Sequence, residues 1–167
     1  YFQRHNKNQE IKNYKKFYKD FSNRVEFGGD HSSSDYLLNK RFADTTNAVM
    51  STVLRTQPKS ILDLGCGAGV YLPLSGYFKN IPYHGVDYAT KAIAAAQKTY
   101  PNIQFSKGDL FDFKALKKSD LIILSCVLVL YEKREDRDKI LRTLRYNLNT
   151  NGTGIVVVWN DTIFIRL

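Results

Sequence analysis

The chain has 167 residues, 43% of them apolar and 13% aromatic, enough for one hydrophobic core with appendages and too few for two comfortable domains. Its net charge of +9 is spread along the chain rather than gathered in one run, which reads as a solvated surface before it reads as a binding stripe for a polyanion. The longest apolar run, about Leu121 to Tyr131, contains Ser125 and Cys126 and is too short to cross a bilayer, the polar start is unlike a secretory signal, and Cys66 and Cys126 have no metal-ligand spacing, so the expectation is a cytoplasmic protein with neither a structural metal nor a disulfide framework.

In chain order, Tyr1-Phe2-Gln3 resembles the remnant of a cleavable tag and is set aside. Ile11, Tyr14, Phe17, Tyr18 and Phe21 recur at helical spacing, the Gly28 to Ser34 stretch breaks that pattern, and a second helix is predicted from about Asp35 to Thr56. Residues 1–56 therefore read as a helical cap and residues 57–167 as the core of the same domain. In the core, short apolar runs alternate with amphipathic stretches, the pattern of a mostly parallel sheet covered on both faces. Strands are predicted at Ser60 to Leu64, Pro82 to Asp87, Ile103 to Lys107, Asp120 to Ser125 and Gly154 to Trp159. Helices are predicted near Val70 to Lys79, Thr90 to Tyr100, Phe113 to Lys117 and Arg134 to Leu148, with a turn over Asn147 to Gly154. The fold class is α/β, doubly wound.

The most informative stretch is Ile61-Leu62-Asp63-Leu64-Gly65-Cys66-Gly67-Ala68-Gly69. Glycine weakens strand and helix interiors, so three of them at alternate positions after an apolar strand call for a sharp turn and a ligand lying against the peptide groups. A phosphate-binding GxxxxGK[ST] loop is excluded, because no lysine followed by Ser or Thr stands directly after the glycines, where the sequence runs Val70-Tyr71-Leu72, and Val70 departs from the small residue that a dinucleotide fingerprint requires there. A carboxylate just ahead of the loop repels phosphate and attracts an amino group, so Asp63 favours a cationic ligand. Asp87 ends the second strand, where a carboxylate reaches the ribose hydroxyls of an adenosine ligand, and Asp109 follows the third strand, placed to meet an adenine amino group. The alternative for each aspartate singly is that it caps the following helix; three of them converging with a glycine loop argue for one crevice.

These segments resemble the class I S-adenosylmethionine-dependent methyltransferase family. The likeness runs from Ser60 to Trp159 and rests on the glycine stretch, on Tyr83-His84-Gly85-Val86-Asp87-Tyr88, on Phe105-Ser106-Lys107-Gly108-Asp109-Leu110, on Ser119 to Leu128, and on the Leu148 to Val158 turn and strand. The resemblance implies a Rossmann-like methyltransferase fold with strand order 3-2-1-4-5 and S-adenosyl-L-methionine as cofactor. It implies that Asp63 and the backbone of Gly65, Cys66 and Gly67 contact the methionine moiety, Asp87 the ribose, Tyr88 the adenine face, and Asp109 with Leu110 the adenine edge, with Ser125 near the sulfonium. Family members usually carry two further strands, one of them antiparallel, which are expected to be absent here; either the chain is truncated, or another chain, such as a second copy, covers the edge of Gly154 to Trp159.

The run Cys126 to Leu130 offers no polar catalytic group after the fourth strand. Methyl transfer to a neutral amine needs no dedicated base, and for a hydroxyl acceptor His31, in the glycine and serine loop, is the first candidate, with Tyr131 as an orienting group. Tyr14, Tyr18 and Tyr36 are cap residues that can cover the cofactor, His84 reads as structural, and no role attaches to His5. The leading function is methyl transfer to a small-molecule acceptor. RNA or protein methylation is the alternative that the charge favours, and a non-catalytic S-adenosylmethionine-binding regulator or scaffold is the third. Neither the acceptor nor its reacting atom is legible in the sequence.

Overall fold

The structure, a computed structural model, describes residues 40–69, 81–158 and 161–166, with side chains for 47–69 and 81–158. The first described element, α1 (Lys40–Thr56), is the C-terminal part of the second predicted helix. The helical stretch over Ile11 to Phe21, the loop bearing His31, the tyrosines at 14, 18 and 36, and the helix expected over Val70 to Lys79 lie outside the described residues.

One sheet holds β1 (Ile61–Leu64), β2 (Tyr83–Asp87), β3 (Gln104–Lys107), β4 (Ser119–Ser125), β5 (Leu148–Val158) and β6 (Asp161–Arg166), in the order β3-β2-β1-β4-β5-β6. The first five strands run parallel and give the expected 3-2-1-4-5 order. Strand order reverses beside β1, which places the C-terminal ends of β1, β2 and β4 around one crevice.

Alternation along the strands sends successive side chains to opposite faces. Ile61, Leu121, Ile123, Ile155 and Val157 join Val49 and Val53 of α1 and Ile93 and Ala96 of α2 (Thr90–Thr99) in one buried cluster. Leu62, Leu64, Ile122, Leu124 and Val156 pack with Ile140 and Leu144 of α3 (Arg134–Asn147) in the other. The central strands therefore read as unbroken apolar runs, because both of their faces are covered.

Three expectations are corrected. The chain has a sixth strand: β6 pairs antiparallel with β5 from Thr153↔Arg166 to Val158↔Asp161, so the edge expected to await a second copy is paired by the chain itself. Residues 113–117 form no helix, because the buried Asn147 takes their backbone groups; its Oδ1 accepts from Ala115 N at 2.7 Å and its Nδ2 donates to Phe113 O at 2.9 Å. The Asn147 to Gly154 stretch belongs largely to β5, and its turn chemistry survives as an irregularity in which β4 advances from Ser119 to Leu121 while its partner advances from Leu148 to Thr153, with Asn151 at φ 66°.

Candidate functional site

The turn after β1 is built on left-handed backbone. Gly65, Gly67 and Gly69 have φ of 82°, 56° and 85°, a region that a side chain makes costly. Gly65 N and Cys66 N both donate to Val86 O, at 2.7 and 3.1 Å, which folds the loop back across the end of β2. The glycines differ in what surrounds them. A Cβ on Gly65 would collide with Cγ2 of the buried Val127, whereas a Cβ on Gly67 would meet none of the described residues within 4 Å. Close protein packing demands the first glycine; among the described residues the second borders open space.

Asp87 ties this loop to the two neighbouring strand ends. Its Oδ2 accepts from Gly67 N and its Oδ1 from Ala89 N, each at 2.8 Å, while its carbonyl accepts from Gly108 N at 3.0 Å. The N-cap of α2 is Ala89, so Asp87 is not the cap of that helix. Burial raises the Asp87 carboxyl above its ordinary value, and N–H donors from Ala89, Gly67 and Tyr88 hold it down. Three donors leave the carboxylate, with its roughly four acceptor sites, capacity for a further donor.

Asp63 is completely buried at the end of β1. The hydroxyl of Tyr83 donates to its Oδ2, and Oδ1 is the one buried side-chain oxygen without a hydrogen-bond partner among the described residues. Burial, opposed by the Tyr83 hydrogen bond and reinforced by the charge of Asp87, pushes the Asp63 carboxyl up to about 7. Burial, with Asp63 and Asp87 adding to it, also pushes the Cys66 thiol well above its ordinary value, which keeps it protonated.

Tyr88 follows β2, Asp109 and Leu110 follow β3, and Ser125 ends β4. Tyr88 is 52% exposed, with Lys107 Nζ 5.9 Å from its ring centre. Asp109 is exposed and its Oδ1 accepts from Phe111 N at 3.0 Å, while Leu110 beside it is buried. Ser125 is half-buried at the end of β4, and Cys126 next to it is exposed at φ 56° with its N–H donating to Val157 O at 2.8 Å. Tyr131 packs edge-on against Phe111, ring centres 5.3 Å apart, as part of the second core cluster. His84 is half-buried, paired with Ser106 Oγ at 2.7 Å, in keeping with a structural role.

Tyr83 and Val127 are the neighbours of this site that sequence reasoning passed over. Both lie in apolar runs where they look like ordinary core. Only the strand register, with Ile61 beside Tyr83 and Asp63 beside Gly85, puts the tyrosine diagonally across from the aspartate.

A crevice with an orphaned buried carboxylate oxygen, a carboxylate with spare acceptor capacity and open space over a glycine fits a ligand that has an ammonium group and vicinal hydroxyls. Residues 56–161 match a family model described as a methyltransferase domain. The chain belongs to this family of S-adenosylmethionine-dependent methyltransferases. It is 29% identical over 94 residues to protein 235L of Invertebrate iridescent virus 6, which bears a methyltransferase name, and the match covers 56% of this chain and 33% of that one. Among solved structures it is similar to the PH0226 protein of Pyrococcus horikoshii OT3, with TM-score 0.66 and 20% identity over 83% of this chain and 65% of that one. It is also similar to the N-methyltransferase NodS of Bradyrhizobium japonicum WM9, in complex with S-adenosyl-L-homocysteine, with TM-score 0.66 and 16% identity over 83% and 71% of the two chains. A third is the sugar N-methyltransferase KedS8 of a Streptoalloteichus species, with TM-score 0.64 and 22% identity over 74% and 51%. The chain thus spans about a third of the curated relative that it matches. Among the described residues no helix is long and apolar enough to cross a membrane, and no group of three or more His, Cys, Asp or Glu is placed to hold a metal ion.

Proposed function

We propose that this domain transfers a methyl group from S-adenosylmethionine to a small-molecule acceptor, bound where the ends of β1, β2 and β4 meet. The observation that carries this reading is the placement of Asp87, whose carboxylate and carbonyl join the glycine loop, α2 and the end of β3 at the rim of the crevice. In this reading Asp87 accepts from the ribose hydroxyls and Tyr88 covers the adenine face. Asp109 and Leu110 line the adenine edge. Asp63 faces the cationic methionine end, with Gly65, Cys66 and Gly67 contributing backbone, and Ser125 borders the acceptor. When bound, S-adenosylmethionine supplies an activated methyl group on a sulfur that is already a good leaving group. The protein's task is then to hold the acceptor's lone pair in line with that methyl group and to exclude water. His31 is the proposed base for a hydroxyl acceptor and Tyr131 a group that orients it. That KedS8 is a sugar N-methyltransferase supports a small acceptor.

A second reading, methylation of RNA, is favoured by one observation. Lys114 and Lys118 both approach the ring of the half-exposed Tyr146, at 5.2 and 5.8 Å, an arrangement suited to phosphate and base contacts. Incubating the protein with methyl-labelled S-adenosylmethionine and separate pools of small amines and sugars, RNA and protein distinguishes the readings. Label in the small-molecule pool is the expected result. Label in RNA or protein would replace the proposed acceptor, and cofactor binding without transfer to any pool would make the protein a regulator or scaffold.

A further inference from the structure

The crevice contains a buried pair that methyl transfer itself does not require: Asp63 on β1 and Tyr83 on β2. Asp63 has no solvent exposure and Tyr83 is 5% exposed. Oδ2 of the aspartate accepts the tyrosine hydroxyl, and Oδ1 has no partner among the described residues. A carboxylate that is both dry and half-satisfied is costly while charged, and it becomes favourable once a cation arrives.

Resting on the ligand assignment above, we propose that Tyr83 is a positioning residue for Asp63, and that binding of the ligand's cationic end expels a proton from the Asp63–Tyr83 pair to solvent. The neutral pair holds one proton on the carboxyl group. The bound ammonium stabilises the carboxylate, and the displaced proton leaves to buffer. The Tyr83 hydroxyl donates to the carboxylate and so determines how readily that proton departs. The phenol ring stays anchored edge-on against Phe105, ring centres 6.1 Å apart.

Among the described residues the surroundings leave this pair in control of the local titration. β2 adds Asp87, whose charge opposes ionisation of Asp63, and His84, which alternation turns to the other side of the sheet against Ser106 and Phe113, and the glycine loop adds Cys66, which stays a thiol. Helix α1 brings Val49 and Val53 to this cluster, and its one charged residue with a described side chain, Arg55, is exposed. α2 contributes Ile93 and Ala96, β3 Phe105, β4 Leu121 and Ile123, and β5 Ile155 and Val157, none of them ionisable, and Tyr100 after α2 packs on Phe105 with its hydroxyl raised by burial and therefore neutral. With the carboxyl group at about 7, proton release falls in the neutral range.

The test is calorimetric titration of S-adenosylhomocysteine, which carries the same ammonium group, from pH 5.5 to 8.5 in buffers of different ionisation enthalpy. Wild-type protein is expected to release about one proton per ligand below the midpoint, with affinity rising about tenfold per pH unit until it levels off above neutrality. Tyr83→Phe keeps the ring and loses the donor, which moves the midpoint upward by about one to two pH units. Asp63→Asn removes the dependence. Carboxyl NMR of ligand-free wild-type protein, which depends on no variant folding, is expected to show Asp63 titrating near neutrality. Tight binding without proton release, or Asp63 titrating in the ordinary carboxylate range, overturns the inference and leaves the ligand assignment standing. Failure of folded wild-type protein to bind at any pH overturns the ligand assignment, and this inference with it.

Discussion

Replacing Gly65 and Gly67 by alanine, one at a time, separates protein packing from ligand contact. Both residues have left-handed φ, 82° and 56°, so each alanine carries a backbone penalty of about 1 to 2 kcal/mol. At Gly65 the new methyl group also meets Cγ2 of Val127, a buried, β-branched side chain with few alternative rotamers, and relief of that collision adds about 1 to 3 kcal/mol. The sum for Gly65→Ala is about 2 to 5 kcal/mol, which for a chain of this size lowers the melting temperature by about 4 to 20 °C. Gly67→Ala has no collision with the described residues to relieve and should lose only about 2 to 8 °C. Its methyl group instead stands in the open space beside Asp87, where the ligand is proposed to lie, so affinity for S-adenosylhomocysteine should fall by about tenfold or more. Thermal melting followed by fluorescence and a calorimetric titration of each variant supply both readouts. Equal stability losses in the two variants, or undiminished ligand affinity in Gly67→Ala, would refute the division of roles.

Three further predictions concern stability. In ligand-free protein Asp63 holds a proton up to about 7 that the unfolded chain releases near 3.8, so stability falls as pH rises between those values, by about 4 kcal/mol in all. Asp63→Asn removes that loss but leaves part of an amide unsatisfied, so the variant should be more stable than wild type at pH 8 by about 1 to 3 kcal/mol in urea unfolding; lower stability at pH 8 would contradict this. Asn147→Leu strips partners from Ala115 N, Phe113 O and Thr143 O and should cost about 2 to 4 kcal/mol, with faster amide exchange at Ala115; an unchanged unfolding midpoint would count against the tie. Burial lowers the His84 value below 6.5, so the unfolded chain takes up a proton that the folded chain resists, and the stability this residue contributes above 6.5 is lost as pH falls toward its lowered value. His84→Gln should therefore flatten the acid side of the stability curve relative to wild type, and parallel curves would show that His84 does not titrate there.

The sheet was legible because its central strands are buried on both faces and so appear as apolar runs with few polar interruptions: Ile61 to Leu64 and Leu121 to Leu124 carry the pattern unaided. The meeting of the glycine loop with Asp87 was legible from three glycines and three aspartates gathered at strand ends, residue types that strand interiors disfavour. Where a distant side chain decides local structure, sequence patterning misled. Phe113 to Lys117 has the composition of a short helix, but Asn147, more than thirty positions away, supplies its hydrogen bonds. Ile163, Phe164 and Ile165 are good strand residues, yet β6 escaped the pattern, because no helix separates it from β5 and the alternation of strand with helix that marks the other five is broken there. The different duties of Gly65 and Gly67, and the meeting of Tyr83 with Asp63, depend on register and on the packing of Val127, which no local pattern encodes.

The central claim is that Asp87 and the glycine loop form an S-adenosylmethionine site. It is tested most directly by calorimetric titration of S-adenosylhomocysteine into wild-type protein and into Asp87→Ala. Binding in the micromolar range that weakens by about one to two decades in the variant, as expected for loss of a charged hydrogen-bonding group, is the predicted result. Folded wild-type protein that does not bind, or a variant that binds as tightly as wild type, would contradict it.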